Sequence, residues 1–240
     1  MLCPTTRFVV ARACLFSKVY HSFQDWLVEM RRLRIKPESL IPLDTVEIKT
    51  GSLDLCRTVG RLPGVKDLRV LAPLSELALL SLLSLRPSML TIVEEGNANV
   101  LLANGVASAC KDLELQFEPD IDLMNRVQRL SELQKLELEL PSAAVAKLIP
   151  PQLTSLTLRL AENDVLGADE VQFLATTRAL RQLSFCNEET DYLNSYSLPE
   201  LEPEAVLKIA SMTQLTGLQL PRAKCRTKSS LQALSALVNL

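Results

Sequence analysis

The sequence predicts an α/β solenoid: a curved parallel sheet with helices or irregular turns on its convex side, preceded by an amino-terminal helical cap. Three observations predict it. The pattern Leu-x-x-Leu-x-Leu, written once as Leu133-x-x-Leu136-x-Leu138, recurs in phase along the chain, and stacked units must present the same face to their neighbours. The 240 residues are 48% hydrophobic but only 4% aromatic, with 7 glycines, so the core must be aliphatic, which suits a repetitive stack. Between the matches lie segments whose apolar residues fall at helical spacing.

Taken in order, the matches are Leu43-x-x-Val46-x-Ile48, Val65-x-x-Leu68-x-Val70, Pro87-x-x-Leu90-x-Ile92, Cys110-x-x-Leu113-x-Leu115, the one at Leu133, Leu153-x-x-Leu156-x-Leu158, Leu180-x-x-Leu183-x-Phe185 and Leu215-x-x-Leu218-x-Leu220. Their middle residues are 22, 22, 23, 23, 20, 27 and 35 positions apart. Each match predicts a short parallel strand, near 46–49, 67–71, 89–94, 112–117, 135–140, 155–160, 182–186 and 217–220. Alternation then puts Leu136 and Leu138 inward and Lys135, Glu137 and Glu139 outward. Helices are expected where Leu123, Val127 and Leu130 recur, and again at Val206, Ile209 and Met212. They close the other side of the core.

The array resembles the leucine-rich repeat family over residues 30–240, as about eight to nine degenerate repeats with the last incomplete. The asparagine or cysteine that family places three positions after the last core leucine is missing; Gly51, Pro73, Glu95, Glu118, Pro141, Ala161, Glu188 and Ala223 stand there. The internal side-chain ladder should therefore be absent and the turns irregular. The longest step holds an acidic insertion near 187–204, with six acids and no base, read as an excursion loop ahead of a helix starting near Pro203. Arg222, Lys224, Arg226 and Lys228 form a basic turn. Leu237-x-x-Leu240 opens a ninth rung 22 residues after Leu215-x-x-Leu218. The expectation is that the natural array continues in further repeats, the alternative being that 229–240 folds over as a cap.

Ahead of the repeats, Phe8, Leu15, Val19, Phe23, Trp26 and Met30 keep a helical period. Residues 1–29 are therefore read as a cap shielding the open end of the first repeat. The run ARACLFSKVYHSF also resembles the last part of an F-box, matching at Leu15, Ser17, Lys18, Tyr20 and His21. The family's leading leucine-proline helix has no counterpart. What the resemblance implies is a substrate-recognition adaptor for a cullin ubiquitin ligase, with Leu15, Lys18, Tyr20 and His21 docking a Skp-type linker. The alternative is a free-standing repeat scaffold, or a receptor-like recognition protein, without a ligase role.

A formal net charge of −2 gives no global field for a polyanion, so no nucleic-acid partner is expected. Six cysteines are scattered without CxxC beside a single histidine, which excludes the paired zinc spacing and suggests reduced thiols. No metal or other cofactor and no small-molecule substrate is expected. No apolar run is long enough to span a membrane, and the expected location is intracellular, cytoplasmic or nuclear. The first 24 residues carry Arg7, Arg12 and Lys18 with no acid, for which an organelle transit peptide is the other reading. With no Ser-His or Cys-His pair and no phosphate-cradle glycine motif, no catalytic residue is proposed and a non-enzymatic role is expected.

The outward strand positions are the candidate site for a protein partner. On the concave face these are Arg69, Glu114, Gln116, Lys135, Glu137, Glu139, Thr157, Arg159, Gln182 and Gln219. Their centre is acidic and their flanks mixed, which suits a folded protein or peptide with a basic patch.

Overall fold

In the computed structural model, residues 45–62, 64–160, 165–169, 171–187, 200–220 and 224–225 are described. The cap at 1–29, with Leu15, Lys18, Tyr20 and His21, lies outside them, as do residues 188–199 of the insertion, most of the basic turn and the 229–240 segment. Eight strands form one all-parallel sheet: β1 (Thr45–Ile48), β2 (Asp67–Val70), β3 (Met89–Ile92), β4 (Asp112–Leu115), β5 (Lys135–Glu139), β6 (Ser155–Leu160), β8 (Gln182–Asn187) and β10 (Gly217–Gln219). Each main-sheet strand pairs with the next one along the chain, the arrangement of a solenoid.

The register follows the repeat. Val46, Leu68, Leu90, Leu113, Leu136, Leu156, Leu183 and Leu218 stand side by side across the sheet, and they are the eight middle residues of the sequence matches. Seven of them are no more than 2% exposed; Leu218 is half-buried. The leading positions Val65, Pro87, Cys110, Leu133, Leu153, Leu180 and Leu215 are buried too. The junctions also repeat. Lys66 O accepts from the N–H groups of Ser88 and Met89 at 2.8 and 2.9 Å, and Arg181 O from Thr216 and Gly217 at 2.7 and 3.0 Å. Ser88, Lys111, Gln134 and Thr154 accept in the same way. One geometry thus serves short steps and the longest one alike.

Helices fill the returns between strands: α1 (Leu53–Val59), α2 (Glu76–Leu80), α3 (Glu95–Ala103), α4 (Ile121–Val127), α5 (Ala143–Ala146) and α6 (Pro203–Ala210). Short 3-10 turns occur at Val106–Ala109 and Gln172–Thr176. At α4 the Asp120 carboxylate accepts from Leu123 N at 2.7 Å, satisfying a first-turn donor. Pro203 opens α6, where a missing N–H costs no hydrogen bond. Leu130 and Met212, expected on helices, are buried just past the ends of α4 and α6. The returns also pack on one another: a Cβ on Gly60, after α1, would lie 1.8 Å from Ser81 O, after α2.

Three features depart from the sequence reading. The side-chain ladder is not wholly absent. Asn97, inside α3 and 2% exposed, donates from Nδ2 to Ala72 O at 2.8 Å and accepts at Oδ1 from Leu74 N at 3.1 Å, tying its repeat to the preceding one. The acidic insertion is not all loop, because β9 (Glu200–Leu201) lies within it. Together with β7 (Val165–Leu166) and β11 (Lys224–Cys225), it forms a second parallel sheet in the order β11-β9-β7. Finally, two outward positions are not open: Asp67 is 8% and Thr91 9% exposed.

Candidate functional site

The polar face of the main sheet is built by alternation. Each strand sends its leucines into the helix-packed core, and the residues between them point the other way. The strands and their ends place Glu47, Asp67, Asp112, Glu114, Glu137 and Glu139 on this face against Lys49, Arg69, Lys135 and Arg159. In-register pairing sets Glu114 directly beside Glu137, a like-charge contact that needs compensation.

Arg159 supplies it. From β6 its guanidinium reaches back across β5: Nε donates to Glu137 Oε1 at 2.7 Å, Nη2 lies 2.6 Å from the same oxygen, and Nη2 also pairs with Glu114 Oε1. Gln116 Nε2 donates to Glu114 Oε1 at 2.7 Å, and Thr91 Oγ1 to Oε2 at 3.0 Å. Burial by itself pushes the Glu114 pKa up. The bonds from Gln116 and Thr91 and the Arg159 guanidinium outweigh it and hold the carboxyl below its ordinary value. The Glu114–Glu137 pair in the acidic centre expected from the sequence is therefore half neutralised by Arg159.

A second cluster sits near the other end. Arg69 Nη2 lies 3.1 Å from Asp67 Oδ2 and its Nη1 3.4 Å from Glu47 Oε1, while Lys49 Nζ lies 2.9 Å from Oε2 of that same glutamate. Asp112 differs from both clusters. Its cation is Lys135 Nζ at 3.6 Å, on a side chain 59% exposed, and burial holds the Asp112 pKa above its ordinary value despite that lysine.

The structure thus brings Glu114, Gln116, Glu137 and Arg159 into one cluster and places Arg69 in another. Lys135, Gln182 and Gln219 are exposed; Thr157 is half-buried between Glu137 and Ser184 in register, and Glu139 is half-buried at the end of β5. Sequence reasoning left Asp112, Thr91 and Cys186 out of the candidate set. Asp112 and Thr91 were legible as outward positions, but their partners lie one strand away and only the register reveals them. Burial raises the thiol pKa of Cys186, beside Glu137 and Arg159. Among the described residues no group of His, Cys, Asp and Glu is arranged to hold a metal ion, and no helix is long and apolar enough to cross a membrane.

No family model, no curated protein and no solved structure matches the chain.

Proposed function

We propose that the chain is a non-enzymatic protein-interaction module of leucine-rich-repeat type whose concave face is the polar side of the main sheet. The observation that carries this reading is the eight-strand register, which holds outward side chains in fixed rows over a continuous core. Such rows on rigid strands are pre-organised for a protein surface. The finer proposal is an F-box-type adaptor for a cullin ubiquitin ligase, resting on the match at Leu15, Ser17, Lys18, Tyr20 and His21. In that reading residues 1–29 bind a Skp-type linker and the repeats select the substrate. The free-standing scaffold shares the docking face and lacks the linker.

Co-purification of the full chain with a purified Skp-type linker tests the adaptor. Binding that disappears on deleting residues 1–29 supports it, and no binding by the full chain leaves the scaffold. A partner held by the face should change affinity with Lys135→Ala and lose it with Gln182→Trp, which alter exposed positions without touching the core. A partner indifferent to both would place docking elsewhere.

A further inference from the structure

We infer that the open sheet face takes a cationic side chain, lysine or arginine, from an extended segment of a partner protein, its aliphatic stem lying on Met89 and its charged end at Asp112. This inference rests on the docking-face reading above. Met89 is 42% exposed and is the one large apolar side chain so exposed among the strands of the main sheet; Leu77, Leu80, Ile121 and Leu207 are on helices. In register it stands between Asp67 and Asp112. An unbranched thioether adapts to a visiting stem, and lysine and arginine lay their methylenes on apolar surface while keeping the charge near water.

The two neighbouring carboxylates are not equivalent. Asp67 is almost fully buried and held by Arg69 through Nε and Nη2, both at 3.1 Å to Oδ2, so it offers nothing to a visitor. Asp112 is half-buried, and its lysine, at 3.6 Å, is on a side chain that is 59% exposed. A carboxylate partly removed from water and poorly compensated gains from a second cation. The face as a whole carries more carboxylates than cations, and the Glu114–Glu137 pair beside Asp112 shares the single charge of Arg159. The charge balance and the apolar stem site therefore converge on one kind of side chain.

The test uses the full chain labelled at its methionine methyl groups, of which there are 5, and a synthetic peptide alternating arginine and serine. A peptide with glutamate for arginine is the control, at about 0.15 M salt so that long-range attraction is screened. The Met89 methyl signal should move with the arginine peptide and stay still with the glutamate peptide. By fluorescence anisotropy, Asp112→Asn and Met89→Ser should each weaken the arginine peptide about threefold to fivefold. Met89→Leu should retain binding, and Asp122→Asn on α4 should change nothing. An unmoved Met89 signal, or equal affinity for Asp112→Asn, overturns the inference. If the arginine peptide is inert while a protein partner still responds to Lys135→Ala and Gln182→Trp, the inference fails and the docking face stands. A partner indifferent to those substitutions overturns both.

Discussion

Arg159 and Glu114 are 45 residues apart in the chain, yet they are ion-paired across the whole width of an intervening strand. The residue between them is Glu137, which the parallel register sets beside Glu114. The guanidinium therefore separates two charges that strand pairing forces together. Arg159→Met should destabilise the fold by about 1–3 kcal/mol, and adding Glu114→Gln and Glu137→Gln should restore much of the loss. Urea unfolding of the single and triple variants measures this. A triple variant no more stable than the single one would rule out repulsion as the cause.

Stability should respond to pH with opposite signs at Glu114 and Asp112. Glu114, with a folded pKa below its unfolded value, contributes fully above the unfolded pKa, and that contribution is lost as pH falls through the folded one. Asp112, raised by burial, keeps an extra proton in the folded state between its unfolded and folded pKa values. Its contribution therefore declines as pH rises through that window and is a cost at neutral pH. Glu114→Gln should flatten the acid side of the stability profile, and Asp112→Asn should raise stability at neutral pH. Denaturation midpoints between about pH 3 and 7 would expose a wrong sign at either residue.

Asn97→Leu keeps the branched side-chain skeleton but strands Leu74 N–H and Ala72 C=O, both served by this one amide. A loss of about 1–3 kcal/mol is expected, together with faster amide exchange at Leu74. Unchanged protection at Leu74 would mean that another acceptor takes over.

Gly60→Ala should be destabilising by about 1–3 kcal/mol, because the added Cβ meets the Ser81 carbonyl oxygen at 1.8 Å and backbone must move. The cause is space, since Gly60 has a helical φ of −60°. Thermal melting of Gly60→Ala beside Gly96→Ala, where nothing lies within 4 Å of the new Cβ, separates crowding from loss of glycine.

Leu136→Asp puts a carboxylate at a position 2% exposed in the middle of the sheet. The expected cost is several kcal/mol, on the order of the stability of a small domain. Circular dichroism of a variant that keeps its native signal and melting point would show that the rung core tolerates charge.

The core rungs were legible because one residue type at one spacing carries them: Leu136 and Leu156 announce their strands without help from anything distant. The face was only half legible. Alternation marks Glu114 and Arg159 as outward, but whether they meet depends on register and on the reach of a long side chain across two strands. Asn97 was hidden for a different reason. It does its work from a helix, not from the turn position where the repeat pattern directs attention. The strand at Glu200–Leu201 carries too little apolar pattern to stand out from the acidic residues around it.

The second sheet bears on how the molecule would come apart under tension. The steps of 27 and 35 positions are the ones that contain β7 and β9, so the added length returns to the structure as pairing. From β1 to β6 the described strands are zipped along one seam, and a pull from that end would open them one after another, like teeth. At β8 and β10 the described chain is stitched along two seams, so opening there has to break pairing in both sheets. A load entering from β1 should therefore be released in small steps up to β6 and should meet added resistance from β8 onward.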